Sequence, residues 1–204
     1  MRPRVALAAA LAAALTAGIA APAWAATSAV NTNTVSPTLV VNVTVQKAIQ
    51  LTLATGSQCV VNAGGGGDYN ISLGNVDALA INAATCGSKF APTTPGASNA
   101  VYYTDYTITP AFTSQSVATN TLTAYVSTAF AKANLSVAQS TAAPAVIADL
   151  TAMSTNAGAQ TSLAANAVSG TALTRYVGVS IAPTNGAGLT GVDSATITYT
   201  LTVQ

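Results

Sequence analysis

Between Val35 and Leu53 eight apolar residues, Val35, Leu39, Val41, Val43, Val45, Ile49, Leu51 and Leu53, occupy odd positions. Thr38, Asn42, Thr44, Gln46, Gln50 and Thr52 lie between them. Period two with β-branched enrichment predicts a strand with one buried face. At strand rise this run would span about 60 Å, several times the usual strand length. One sheet of a small sandwich cannot bury all of it. Either the chain bends near Lys47-Ala48 and continues in a second sheet, or the first half leaves the domain and pairs with a neighbour.

Shorter runs of the same period follow. Tyr69 to Leu73 comes after the glycine run Gly64 to Gly67, a loop by composition. Tyr102 to Thr109, rich in Tyr, Thr and Ile, predicts a strand stopped by Pro110. Thr121 to Ser127 sets Leu122, Ala124 and Val126 on one face, and Asn134 to Gln139 is a shorter candidate. Leu173 to Ile181 alternates again, and near the end Ile197, Tyr199, Leu201 and Val203 oppose Thr196, Thr198, Thr200 and Thr202. Ala145 to Met153 places Val146, Ile147, Leu150 and Met153 at helical spacing, enough for a turn or two. Short strands separated by Gly, Pro, Asn and Ser turns predict an all-β antiparallel sandwich.

The amino terminus changes the picture of where this sandwich works. Arg2 and Arg4, the apolar stretch Val5 to Ala21 and the small-x-small triplet Ala23-Trp24-Ala25 read as a cleaved secretory signal over residues 1–25. The expected product, residues 26–204, is one domain, secreted or held at the cell surface, with 26–46 as a candidate donor or extension strand. No later stretch is long and apolar enough to span a bilayer. Cys59 and Cys86, in an exported chain, are expected to form a disulfide; closing a loop of about 27 residues stabilises by roughly 3–4 kcal/mol.

Charge narrows the chemistry. After residue 25 the formally charged side chains are Lys47, Lys89, Lys132, Arg175, Asp68, Asp77, Asp105, Asp149 and Asp193, with no histidine and no glutamate. Acid–base catalysis and metal ligation need ionisable groups brought together, so the composition points away from an enzyme and from any cofactor. A formal charge of −1 for residues 26–204 offers nothing to draw nucleic acid or an anionic membrane. Outer faces of Thr, Ser, Asn and Gln solvate a sheet but repel a neighbouring strand weakly, which favours self-association through sheet edges.

Four features resemble the subunits of chaperone–usher pili and the related spore-coat-U-like secreted proteins. The alternating segment Val35 to Leu53 precedes the first cysteine; Cys59-Val60-Val61 leads to Ile71-Ser72-Leu73-Gly74-Asn75-Val76, similar to the Leu-Gly-x-Val strand of pilins; a second cysteine follows; and Ala195 to Leu201 is similar to the aromatic-bearing final strand of that family. The resemblance implies an immunoglobulin-like sandwich lacking one strand, completed by the N-terminal segment of the next subunit. It implies Val35, Leu39, Val41, Val43 and Val45 as donor residues, a periplasmic chaperone as partner, and Cys59 and Cys86 tying the first strands together. The alternative on the residues alone is a self-contained sandwich whose own first strand is Val35 to Leu53.

Other candidate sites are fewer. Tyr102, Tyr103 and Tyr106 form a candidate ligand patch for carbohydrate or another surface ligand, which would make the chain a monomeric extracellular binding module. Asp68-Tyr69-Asn70 with Asp77 suggests calcium, but a turn that uses Asp and Asn for backbone hydrogen bonds is the commoner meaning, so no metal is expected. Lys47 falls on the apolar phase of its strand, where a bend bringing it to the surface is the simpler reading than a cross-link. The first expectation is therefore a non-catalytic structural or fimbria-like coat subunit.

Overall fold

A computed structural model describes residues 41–43, 48–63, 69–113 and 119–204. The chain divides into two units, Met1–Thr44 and Val45–Gln204. In the first, only residues 41–43 are described and they belong to no strand. The second unit contains β1 (Ile49–Thr55), β2 (Asn62–Ala63), β3 (Tyr69–Asn70), β4 (Ser88–Phe90), β5 (Ala100–Phe112), β6 (Thr121–Thr128), β7 (Leu135–Ser140), β8 (Thr151–Ala152), β9 (Thr161–Ala164), β10 (Leu173–Ile181) and β11 (Thr196–Thr202). A first sheet runs β1-β5-β10-β7-β8, with β4 also on β5; a second runs β11-β6-β9; β2 and β3 form a small hairpin. All pairings are antiparallel. The protein is an all-β antiparallel sandwich.

Burial along β5 follows the pleat. Tyr102, Thr104, Tyr106, Ile108 and Pro110 are buried, whereas Tyr103, Asp105, Thr107 and Thr109 point to the other face and stay partly exposed. The inner face meets Leu122, Ala124 and Val126 of β6 and Leu163 of β9 in one core, with Leu51 and Leu53 of β1 and Ile197, Tyr199 and Leu201 of β11 packed against it. Beyond the reach of the three-stranded sheet a second core forms, where Leu73, Val76, Ala78, Ala80 and Ala84 cover Ala100, Tyr102, Val179 and Ile181. The segment 71–84 stands there in place of further strands.

Three expectations are corrected. The strand predicted to stop at Pro110 continues to Phe112, with Leu51 opposite Pro110. The Pro110 backbone faces away from β1, and its carbonyl accepts from Gly170 N–H, in a stretch that β10 has already left. The missing N–H of proline therefore breaks no ladder bond. The alternation from Tyr69 to Leu73 yields pairing only at Tyr69–Asn70; Ile71 and Leu73 face the cores with no partner strand among the described residues. Period two there reports alternate burial, not a ladder.

Between Ala145 and Met153 the helical part is a single 3₁₀ turn, Ile147–Asp149, followed by the short strand β8. The Asp149 carboxylate accepts from the N–H groups of Ala145 and Val146, closing the turn at its start. The helical spacing then divides between two layers: Leu150 packs with Val101 and Ala138 on the outer face, and Met153 enters the inner core. A chain crossing the edge of a sheet mimics helical period without being a helix.

Candidate functional site

Strands β1 and β4 lie in line along the same edge of β5. β1 pairs with Tyr106 to Phe112, and β4 with Val101 to Tyr103. The disulfide Cys59–Cys86 joins the chain leaving β1 to the chain entering β4, with the Cα atoms 5.1 Å apart. Cys59 N–H donates to Thr104 Oγ1 at 3.3 Å, in the stretch of β5 left between the two short strands. Gly87 has φ of 77°, and a Cβ there would collide with the Tyr103 carbonyl, so glycine brings the second half-cystine close to β5. The expected bridge is formed, and it splices a divided edge strand.

Among the described residues, the two sheets leave one side of the sandwich without a further strand. Tyr199 of β11 packs edge-on against Tyr106 of β5, ring centroids 6.2 Å apart, with the hydroxyls 3.1 Å apart. On the other flank Arg175 of β10 donates through Nε to the Leu163 carbonyl of β9 at 2.8 Å. β11 thus overlies β5 and β9 overlies β10, so that β1 and β11 are the outer strands of the same side. The opposite side is stitched by the chain itself, where Val126 N–H donates to Ser154 O and Ser154 N–H to Thr161 Oγ1. Among the described residues no strand pairs with the outer edge of β1 or of β11.

Side-chain exposure follows this asymmetry. Inward-facing Leu122 and Ala124 in the central strand β6 are fully buried. Inward-facing Leu51 and Leu53 of β1 and Ile197, Tyr199 and Leu201 of β11 are only half-buried, and Ile49 remains 52% exposed. A row of apolar side chains pointing inward yet incompletely covered marks a groove between two edges that no described strand pairs.

The donor residues fall as follows. Val35, Leu39 and Val45 lie outside the described residues, as does Lys47. Val41 and Val43 belong to no strand and are 78% and 82% exposed. Among the described residues of the alternating run, the ladder begins at Ile49.

The tyrosine patch does not assemble. Tyr102 and Tyr106 are each 1% exposed and point into the cores, whereas Tyr103 points to the outer face and stacks on Phe90 at 5.2 Å. Even and odd positions of a pleated strand cannot share a surface, and the run of tyrosines conceals that.

Tyr102 instead anchors a loop network. The Asp77 carboxylate accepts from the N–H groups of Leu79, Ile81 and Asn82. The Tyr102 hydroxyl lies 3.0 Å from Asp77 Oδ2 and 2.9 Å from the Asn82 carbonyl. Lys89 Nζ donates to the carbonyls of Ala80 and Asn82, each at 2.6 Å. The turn 77–82 is thus wrapped around one carboxylate and one ammonium, both of them consumed by the backbone. Asp77 closes a turn, Asp68 lies outside the described residues, and no group of three or more His, Cys, Asp or Glu that could hold a metal occurs among the described residues. No helix among them is long and apolar enough to cross a membrane.

These partners set a pH response. Burial pushes the Asp77 and Asp105 carboxyls up, but the N–H groups aimed at them outweigh it and leave both below the ordinary value of 3.8. Backbone N–H groups also hold down Asp149 and Asp193, led by those of Val146 and Lys132 respectively. A carboxyl lowered in the folded state contributes stability that is present above its unfolded pKa and is lost as pH falls through the folded one. Burial, reinforced for Tyr102 by the Asp77 hydrogen bond and charge, pushes the Tyr102 and Tyr199 hydroxyls up to about 12. A raised tyrosine holds its proton more tightly when folded, so its contribution is complete below 10 and is lost as pH rises through about 12. With no histidine between these limits, unfolding midpoints measured across pH should be flat from about pH 5 to 9 and fall on both sides. A midpoint that collapses between pH 7 and pH 5 contradicts this assignment.

Comparison of the chain with family models, with curated proteins and with solved structures finds no match.

Proposed function

We propose that this chain is a non-catalytic, exported structural subunit that associates with its own kind by strand addition. The N-terminal segment of one copy seats in the groove between β1 and β11 of the next. The observation that carries this reading is the pair of edges, β1 and β11, that no described strand pairs on one side of the sandwich, with inward apolar residues left half-covered. An incoming strand hydrogen-bonded to either edge would cover Ile49, Leu51, Leu53, Ile197 and Leu201 together. Val35, Leu39, Val41, Val43 and Val45 supply alternate apolar side chains in the phase such a groove requires. On this reading the domain is an immunoglobulin-like sandwich one strand short, akin to pilins and spore-coat-U-like proteins.

Secretion and partners follow from the same logic. The signal-like residues 1–25 and the disulfide fit an exported, cell-surface protein. A subunit with an unfilled groove would bind a periplasmic chaperone before assembly, because the exposed apolar row otherwise invites aggregation. The outer faces of β6 and β11, which carry Thr121, Thr123, Thr196, Thr198 and Thr200, suit contact with water or with neighbours, not catalysis.

Deleting residues 26–46 tests the reading. Truncation should abolish oligomers seen by electron microscopy and size-exclusion chromatography. The remaining body should stay soluble and gain thermal stability on addition of a peptide spanning residues 33–46. Oligomers that persist after truncation refute strand addition. A truncated body that unfolds, with no rescue by peptide added in trans, identifies a self-contained sandwich.

A further inference from the structure

On the outer face of the first sheet, away from the groove, Asp105 presents an ionised carboxylate that no cation among the described residues neutralises. The charged groups of the packed elements are accounted for: Lys89 is held by the 80–82 carbonyls, Arg175 projects inward to β9, and Lys132 pairs with Asp193 at 3.9 Å. Asp105 Oδ2 accepts from Ser57 N–H at 2.6 Å, while Oδ1 is buried without a hydrogen-bond partner. Gly56 makes this possible, since a Cβ there would collide with the Asp105 carbonyl and carboxyl carbon.

Beside the carboxylate is a cleft of about 150 Å³. Tyr103 and Tyr176 contribute aromatic rings, Gln58 an amide, and Ser57 and Ser88 hydroxyls. The polar groups are preorganised: Gln58 and Ser88 exchange donor and acceptor roles at 3.3 Å. Tyr103 is fixed by stacking on Phe90. Gly178, opposite Tyr103 in the ladder, has no room for a side chain, which a Cβ would drive into Tyr102 O and Tyr103. Rigid aromatic walls lose little conformational freedom on binding.

We infer that this cleft is a binding site for a polyhydroxylated ligand, a single sugar ring presented by a surface glycan or free in solution. A carboxylate, an amide and hydroxyls around one cleft both donate and accept, as sugar hydroxyls require, and tyrosine rings cover the C–H faces of a pyranose. An ammonium ligand would satisfy Asp105 but could accept nothing from the Gln58 amide or the serine hydroxyls. The site is built from one chain and is separate from strand addition, so it stands or falls independently of assembly.

Saturation-transfer NMR on the full chain, which tolerates assemblies, tests it with the methyl glycosides of glucose, galactose and mannose, with N-acetylglucosamine, and with butylammonium as the cationic rival. At least one sugar should receive saturation at its ring protons. That transfer should weaken by about tenfold in apparent affinity in Tyr176→Ala and in Gln58→Ala. Gln58 is exposed, so its variant keeps the fold, checked by an unchanged unfolding midpoint. The inference is overturned if no sugar receives transfer, if both variants bind as the parent does, or if butylammonium binds in preference to every sugar. A free monosaccharide that binds better than the polymer bearing it assigns the site to free sugars; a polymer that binds better assigns it to surface glycans.

Discussion

Replacing Cys59 and Cys86 together by alanine should lower the unfolding free energy by about 3–4 kcal/mol. The bridge closes a loop of 27 residues in sequence, which sets the entropic part of that figure. Its position makes the effect local as well as global. β4 is only three residues long and pairs with nothing but β5 among the described residues. Without the bridge it is held by its ladder to Val101–Tyr103, the Phe90–Tyr103 stack and the Lys89 contacts to 80–82. Amide exchange should therefore accelerate first in β4 and the 71–84 cover, before β6 or β10 open. For a domain of this size the melting temperature should drop by about 10 °C. A loss below about 1 kcal/mol in urea titration would mean that the Asp77–Tyr102–Lys89 network, not the disulfide, fixes this edge.

How far residues forecast structure here depends on whether pattern and pairing coincide. They coincide in β6, β10 and β11, where alternating apolar residues face a two-sheet core and neighbouring strands satisfy the ladder. They part at Ile71–Leu73, where alternation reflects cover over the second core, and at Ala145–Met153, where helical spacing arises from a crossing between layers. β4, β8 and β9 carry two to four residues each, too few for a period to register. Their existence rests on long-range partners: β5 for Ser88–Phe90, β7 for Thr151–Ala152 and β6 for Thr161–Ala164.

The same distinction governs the sites. The cysteine pair was legible because the signal-like residues 1–25 and a count of two leave one pairing. The tyrosine cluster misled because Tyr102 and Tyr103 are adjacent in sequence and therefore on opposite faces of the sheet. The outer cleft was hidden because Gln58, Asp105 and Tyr176 come from three separate segments. Its one local hint is Asp105, a charge between tyrosines on the outward phase of a strand whose inward phase is buried. The free edges of β1 and β11 were foreshadowed only through the long run before Cys59, since sheet order is a property of the whole chain and not of any window.

Leu122→Ala should destabilise the protein by about 3–4 kcal/mol, near the upper half of the range for deleting a buried leucine side chain. Leu122 is 0% exposed and sits in the central strand of the three-stranded sheet, between Leu201 of β11 and Ala164 of β9, in the same core as Ile108. Backbone ladders on both flanks prevent β6 from moving inward to refill the space, so much of the cavity should persist. Leu201, its ladder partner, is only half-buried, and Leu201→Ala in the body lacking residues 26–46 should cost about 1–2 kcal/mol. Adding the peptide of residues 33–46 separates two accounts of β11. A strand seated in the groove completes the burial of Leu201 and raises the cost of Leu201→Ala towards that of Leu122→Ala. The cost of Leu122→Ala, already at full burial, should barely change. Equal costs for Leu201→Ala with and without peptide, read from urea midpoints at constant denaturant dependence, would place the incoming strand elsewhere and leave the β1–β11 groove unfilled.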